Sequence, residues 1–110
     1  MPLIQIAVAG SAPSPATIQH LQQETTRLMR DVLHKEAGLT VVGVSHLPPS
    51  AVAAAGASVG RAAWLQGLIT AGTNSADEKA AFIGAAEAML VDALGDLSAP
   101  TYVCLQELPA

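Results

Sequence analysis

The feature that most constrains this chain is that it repeats itself. Leu3 to Ala9-Gly10 corresponds to Leu65 to Ala71-Gly72, Ser14 to Ser75, and Leu28-Met29 to Met89-Leu90. Leu33 corresponds to Leu94, and His46-Leu47-Pro48 to Glu107-Leu108-Pro109, at an offset that stays at 61 or 62 residues throughout. A constant offset across strand, cap, helix and strand marks one supersecondary unit written twice. The chain reads as a single domain of two repeats, 1–48 and 63–110, joined by a linker over 49–62.

Each repeat reads as a βαβ unit. In the first, Ile4, Ile6 and Val8 alternate on one face of a strand that ends at Gly10. Ser14 is placed to cap a helix whose first residue is Pro15, a position where the missing N–H is no loss. Ile18, Leu21, Leu28 and Val32, with Met29 and Leu33 beside them, form its apolar face, and Gly38 is placed to end it in a left-handed conformation. A second strand, Leu39 to Leu47, stops at Pro48-Pro49. A strand, a helix and a strand in this order make a right-handed crossover with parallel strands. Linker residues 49–62 are small and suit a hairpin or a short helical turn. The second repeat has a strand from Trp64 to Ala71 and a Ser75-Ala76-Asp77-Glu78 capping box. The apolar face of its helix runs from Phe82 to Leu94, and a last strand lies between Pro100 and Leu108. The fold class is α/β in two layers: a four-stranded mixed sheet with two helices on one face.

Composition narrows the function classes. Only five Lys and Arg are spread along a chain of net charge −4, so there is no basic stripe and nucleic acid is not expected as a partner. No apolar run approaches the roughly 20 residues that span a bilayer, and the start of the chain lacks a secretory signal pattern. Cys104 is the only cysteine, which rules out an internal disulfide and fits a reducing, cytoplasmic setting. His20, His34 and His46 lack metal-ligand spacing, so neither a metal nor another cofactor is expected. Hydrophobic residues reach 51%, and a domain this small is expected to hide part of that surface against copies of itself.

Pro2 is the sharpest single residue. Proline has no N–H for a sheet ladder and is tolerated as a strand's first residue. If Met1 is removed, as is usual before a small residue, Pro2 carries a free secondary amine held at the start of a buried strand. A free amine is a base and an acylated one is not. The plainer reading is a proline that stops the terminus from pairing further.

A chain that begins Met1-Pro2 and consists of two βαβ units of this size resembles the tautomerase superfamily. Gly67 to Gly72, Ser75-Ala76-Asp77 and Glu107-Leu108-Pro109-Ala110 look most like its long members, the cis-3-chloroacrylic acid dehalogenases and malonate semialdehyde decarboxylases. The single-unit 4-oxalocrotonate tautomerases resemble each half in turn. The resemblance implies a tautomerase/MIF-like subunit that assembles as a homotrimer, with Pro2 in a pocket near a subunit boundary. It also implies a small-molecule substrate, an enol or α-keto acid, whose proton the proline nitrogen moves between oxygen and carbon. The departures are equally specific. Where relatives place substrate-binding arginines, this chain has Ser11, Gly43, Thr70 and Thr73-Asn74, and where they carry a tyrosine in the last strand it has Cys104. Pro2 is the only catalytic residue that carries over. Two other readings stand beside this one: an inactive or ligand-binding member of the same fold, and a ferredoxin-like dimeric α/β protein.

Arg61, the only cation in the linker, is the candidate for substrate binding, since equivalent loops in this fold reach a neighbour's pocket; a solvated surface arginine is the other reading. Trp64 and Tyr102 head the two strands of the second half, and core or interface packing is expected of both. Cys104 reads as a small buried hydrophobe, His34 as a favourable partner of the first helix's C-terminus, and His46 and Glu107 as residues at strand ends where a site could lie.

Overall fold

The computed structural model describes residues 2–95, 97 and 99–110. Strand β1 (Leu3–Ala9) leads through the Gly10 turn into helix α1 (Pro15–Asp31) and back along β2 (Val41–Leu47). A short hairpin, β3 (Ala53–Ala54) and β4 (Ala57–Ser58), lies in the linker. Then β5 (Ala62–Thr70), α2 (Ala76–Leu94) and β6 (Tyr102–Leu108) repeat the first unit. The main sheet has the order β2-β1-β5-β6, parallel within each unit and antiparallel where β1 meets β5. This order excludes the ferredoxin-like alternative, in which the two strands of each unit are split by another strand. Here they are immediate neighbours.

The repeat is real in three dimensions. Leu3 pairs with Val41, and Trp64 pairs with Tyr102, at the same 61-residue offset. Gln5 faces Gln66, its own counterpart, across the antiparallel junction, so the pseudo-twofold axis passes between them. The expected equivalence of the two turn glycines needs a shift of one residue. The Gly10 amide donates to the Leu47 carbonyl at 3.2 Å, and its counterpart is the Ala71 amide, which donates to Leu108 at 2.7 Å. Gly72 comes one position later, and both glycines have positive φ, +110° for Gly10 and +79° for Gly72.

Both helices lie on one face of the sheet. Ile4, Ile6, Val8, Leu65 and Ile69 point into that layer and are at most 1% exposed, against Leu21, Met29, Phe82, Ala86 and Leu90 from the helices. Between the helices, the buried Thr25 hydroxyl donates to the Met89 sulfur at 3.4 Å. The pseudo-symmetry is broken at the centre of this layer: Ile6 is matched by Gly67. A Cβ on Gly67 would come within 2.7 Å of Leu105 Cδ2 and 2.9 Å of Ile4 Cδ1, so the space beside Gly67 is already taken by those two side chains.

The caps are as the sequence predicts. Ser14 Oγ accepts from the Thr17 amide at 3.1 Å, and Ser75 and Glu78 form a reciprocal capping box. The end of α1 is not. It stops at Asp31, the left-handed residue is His34 at φ +58°, and Gly38 lies in a 3-10 turn over Ala37–Leu39. Geometry accounts for the early stop. Seventeen residues of helix rise about 25 Å, already the length of the seven-residue strands it must cover. The chain therefore turns as soon as Leu33 has reached the core, where it is 1% exposed. The linker forms both structures considered for it, a 3-10 turn at Pro49–Ala51 and the β3–β4 hairpin, whose tip residues Ala55 and Gly56 both have positive φ.

Candidate active site

The antiparallel junction of β1 and β5 gives the sheet two ends of different character. At the first end, β1 begins and β5 finishes. Pro2 is buried there, and its carbonyl accepts from the Val41 amide at 3.1 Å. Beside it Pro2, Leu3, Leu39 and Val41 line an open apolar groove of about 420 Å³. Leu39 and Val41 are 64% and 60% exposed, so the groove presents apolar side chains to solvent.

The same end carries a polar cluster. The register of β1 on β5, continued by one residue, puts Pro2 level with Ile69, whose partner on β6 is Glu107. Glu107 therefore lies two strands from Pro2, about 10 Å away at ordinary strand spacing. Its carboxylate accepts from Lys79 Nζ at 2.6 Å and from the Gly72 amide at 3.1 Å. The Lys79 hydrogen bond above all, then the Gly72 amide, hold its carboxyl below the usual range. A carboxylate committed in this way stays ionised at neutral pH, so Glu107 acts as a structural anion rather than a proton donor. Thr70 and Thr73, two of the positions where the resemblance calls for arginine, are next to it. The Thr73 hydroxyl donates to the Thr70 carbonyl at 2.6 Å and accepts from Lys35 Nζ at 2.7 Å. His34 Nε2 lies 3.1 Å from Glu78, and Asn74 donates to the Leu33 carbonyl at 2.8 Å, tying the end of α1 to the start of α2.

Lys35 is the residue that sequence reasoning missed. It is far along the chain from both Pro2 and Thr73, in a segment expected to be helix. The cue was available all the same: a cation just before the second strand of a parallel βαβ unit returns to the end where the first strand begins.

The second end, where β1 finishes and β5 begins, is filled. Val59, Ala9 and Ala62 are buried there, with Leu47, Val52 and Ala99 packed against them, so the linker covers the end of the sheet. Arg61 lies at this end: Ala62 pairs with Ala9, some 20 Å along β1 from Pro2. It is half-buried with its Nε out of solvent, not a solvated surface arginine. Arg61 and Pro2 of one subunit are too far apart to hold one small substrate. The Gly10 turn packs on Arg61 so closely that a Cβ at Gly10 would lie 2.5 Å from the Gly60 carbonyl oxygen and 3.3 Å from Arg61 Cα. His46 approaches the Gly10 carbonyl at 2.7 Å, so it too belongs to the filled end.

The helix-free face of the sheet carries the remaining candidates. Trp64 and Tyr102 are register partners, but Tyr102 is 69% exposed and not part of the core of this chain. Cys104 is also exposed, contrary to the expectation of a buried residue. It shares strand parity with Tyr102 and Gln106, which put it on the uncovered side. Among the described residues no group of His, Cys, Asp and Glu is arranged to hold a metal ion, and no helix is long and apolar enough to cross a membrane.

No family model matches the sequence, and no curated protein sequence does. Solved structures do match. Pt0534, solved inactivated by 2-oxo-3-pentynoate, superposes with a TM-score of 0.87 at 15% identity, over 97% of this chain and 86% of that one. A fused 4-OT solved as a symmetric trimer gives 0.86 at 16% identity, covering 97% and 87%. The macrophage migration inhibitory factor of Toxoplasma gondii gives 0.79 at 19% identity, covering 97% and 90%. At such identities the likeness speaks for the fold, and the doubled βαβ unit, the strand order and these neighbours together establish that the chain has the fold of the tautomerase superfamily.

Proposed function

We propose that this protein is a tautomerase-type isomerase in which Pro2, freed of Met1, moves a proton between oxygen and carbon of a small enol or α-keto acid. The observation that carries the reading is the placement of Pro2: buried at the head of a central strand, beside an apolar groove. Apolar walls disfavour the ammonium form of an amine and so favour a base that works near neutral pH. The inactivation of the structural neighbour Pt0534 by 2-oxo-3-pentynoate, an α-keto acid, supports the substrate class.

Lys35 supplies the positive charge that the absent arginines would have brought. Its neighbour Lys79 is hydrogen-bonded to the Glu107 carboxylate, whereas Lys35 hydrogen-bonds a neutral hydroxyl and acts on Glu107 only through its field, so its ammonium hydrogens can meet a substrate carboxylate. Arg61 serves a Pro2 site only across a subunit boundary. Arg61→Ala then raises KM if a neighbour lends it, and leaves KM unchanged if it does not.

The assembly we propose is a homotrimer. Fused 4-OT neighbours are solved as trimers, and the exposed Leu39, Val41 and Tyr102 give this chain apolar surface to cover. Light scattering at micromolar concentration should give three subunit masses; one or two would exclude it.

The test of the chemistry is ketonisation of phenylenolpyruvate by protein whose intact mass shows Met1 removed. Pro2→Ala should lose most of the rate, and protein that retains Met1 should have none, because its proline nitrogen is an amide. Equal turnover by Met1-bearing and Met1-free protein would mean that Pro2 is not the catalyst, and the ligand-binding reading would replace this one.

A further inference from the structure

We propose that Thr73 is a positioning residue that sets the Lys35 ammonium at the Pro2 end of the sheet, with the Gly72–Glu107–Lys79 bonds holding the turn that carries it. The inference rests on the reading of Lys35 as the group that receives a substrate carboxylate.

The argument starts from the hydroxyl. Thr73 has one hydrogen to give, and gives it to the Thr70 carbonyl at 2.6 Å, the last residue of β5. Its lone pairs are then turned away from the strand, and Lys35 Nζ donates to it at 2.7 Å. Lysine has a long flexible side chain, and holding it in one rotamer costs entropy that a bound ligand would otherwise have to overcome. The hydroxyl takes up one of three ammonium hydrogens and none of the charge, leaving two donors for a carboxylate. An acidic side chain at position 73 would hold the lysine more tightly but neutralise it.

The turn itself is fixed from the other side. The Gly72 amide donates to Glu107 Oε2 at 3.1 Å, and Lys79 Nζ donates to Oε1 at 2.6 Å. Glu107 is thus fully engaged between a cation and a backbone amide. It anchors the residue preceding Thr73 while Lys79 cancels its charge. Two lysines at one end of the sheet thereby have different hydrogen-bond partners, Lys79 the anchoring carboxylate and Lys35 a neutral hydroxyl, while the Lys35 charge reaches Glu107 only through space.

The probe is phenylacetate, a carboxylate that needs no proton transfer, so its binding is independent of whether Pro2 is a catalyst. Isothermal titration on the full-length chain compares wild type, Thr73→Val, Thr73→Ser, Lys35→Ala and the double variant Thr73→Val/Lys35→Ala. Loss of one hydrogen bond to a charged group should weaken binding about fivefold in Thr73→Val. Thr73→Ser keeps the hydroxyl and should stay within about twofold of wild type, and the double variant should bind no more weakly than Lys35→Ala, because residues that act through one another are not additive. In turnover of phenylenolpyruvate, Thr73→Val should raise KM by the same factor rather than lower kcat. Wild-type affinity in Thr73→Val, multiplied effects in the double variant, or no phenylacetate binding by wild type would each overturn the proposal. A failed Pro2→Ala test beside intact Thr73–Lys35 coupling would remove the isomerase reading and leave a carboxylate-binding site.

Discussion

The two ends of the sheet are built on the same backbone plan and covered in opposite ways. At the Pro2 end a strand starts beside an open apolar groove, and the polar residues around it are arranged on one another: Lys35 on Thr73, Lys79 on Glu107, Glu107 on Gly72. At the Arg61 end the corresponding strand does not start but continues from the linker, and Val59 and Val52 pack where a groove would be. The pair shows that a βαβ duplication offers two equivalent places for a site. What differs between them is the covering: Val59 and Val52 pack over one end, and an open apolar groove lies beside Pro2 at the other.

The largest expected difference between the ends concerns their turn glycines. Gly10→Ala places a Cβ at 2.5 Å from the Gly60 carbonyl oxygen at a φ of +110°, and should cost about 3 kcal/mol or more. Gly72→Ala, at φ +79° with open space around it, should cost only about 1 kcal/mol. Urea unfolding of the two variants checks this, and equal costs would break the contrast between a packed and an open end. Next come the caps. Ser75→Ala removes half of a reciprocal box and should cost about 1 kcal/mol, and Ser14→Ala should cost somewhat less because Pro15 still pre-forms the first turn. The smallest effect is electrostatic. Glu107 has its pKa lowered by Lys79 and Gly72, so its contribution to stability is fully present above the ordinary carboxylate range and is lost as the pH falls from there through its lowered folded-state value. Glu107→Gln should flatten the acid limb of a stability–pH curve slightly; an unchanged limb would mean that this exposed pair is screened.

How much of this was legible beforehand follows from what each signal measures. Periodicity and caps act locally, so the strand faces of Ile4, Ile6 and Val8, the Ser14 cap and the Ser75–Glu78 box could be read directly. The end of α1 could not, because it is set by the length of the strands it covers rather than by the nearest glycine. Cys104 was misplaced because alternation assigns a residue to a face without saying which face the helices occupy; its polar companion Gln106 was the available cue. Lys35 was missed because its partner Thr73 comes from the other repeat. Arg61 was singled out as a cation in a flexible linker, and only the antiparallel register reveals that it lies at the far end from its own Pro2.

Gly67 makes the middle of the sheet a point where both halves answer to one missing side chain. Its vacant Cβ position is bounded by Ile4 Cδ1 from the first half and Leu105 Cδ2 from the second. A single methyl group there would press on both units at once, so that one position sets how closely the two halves can approach.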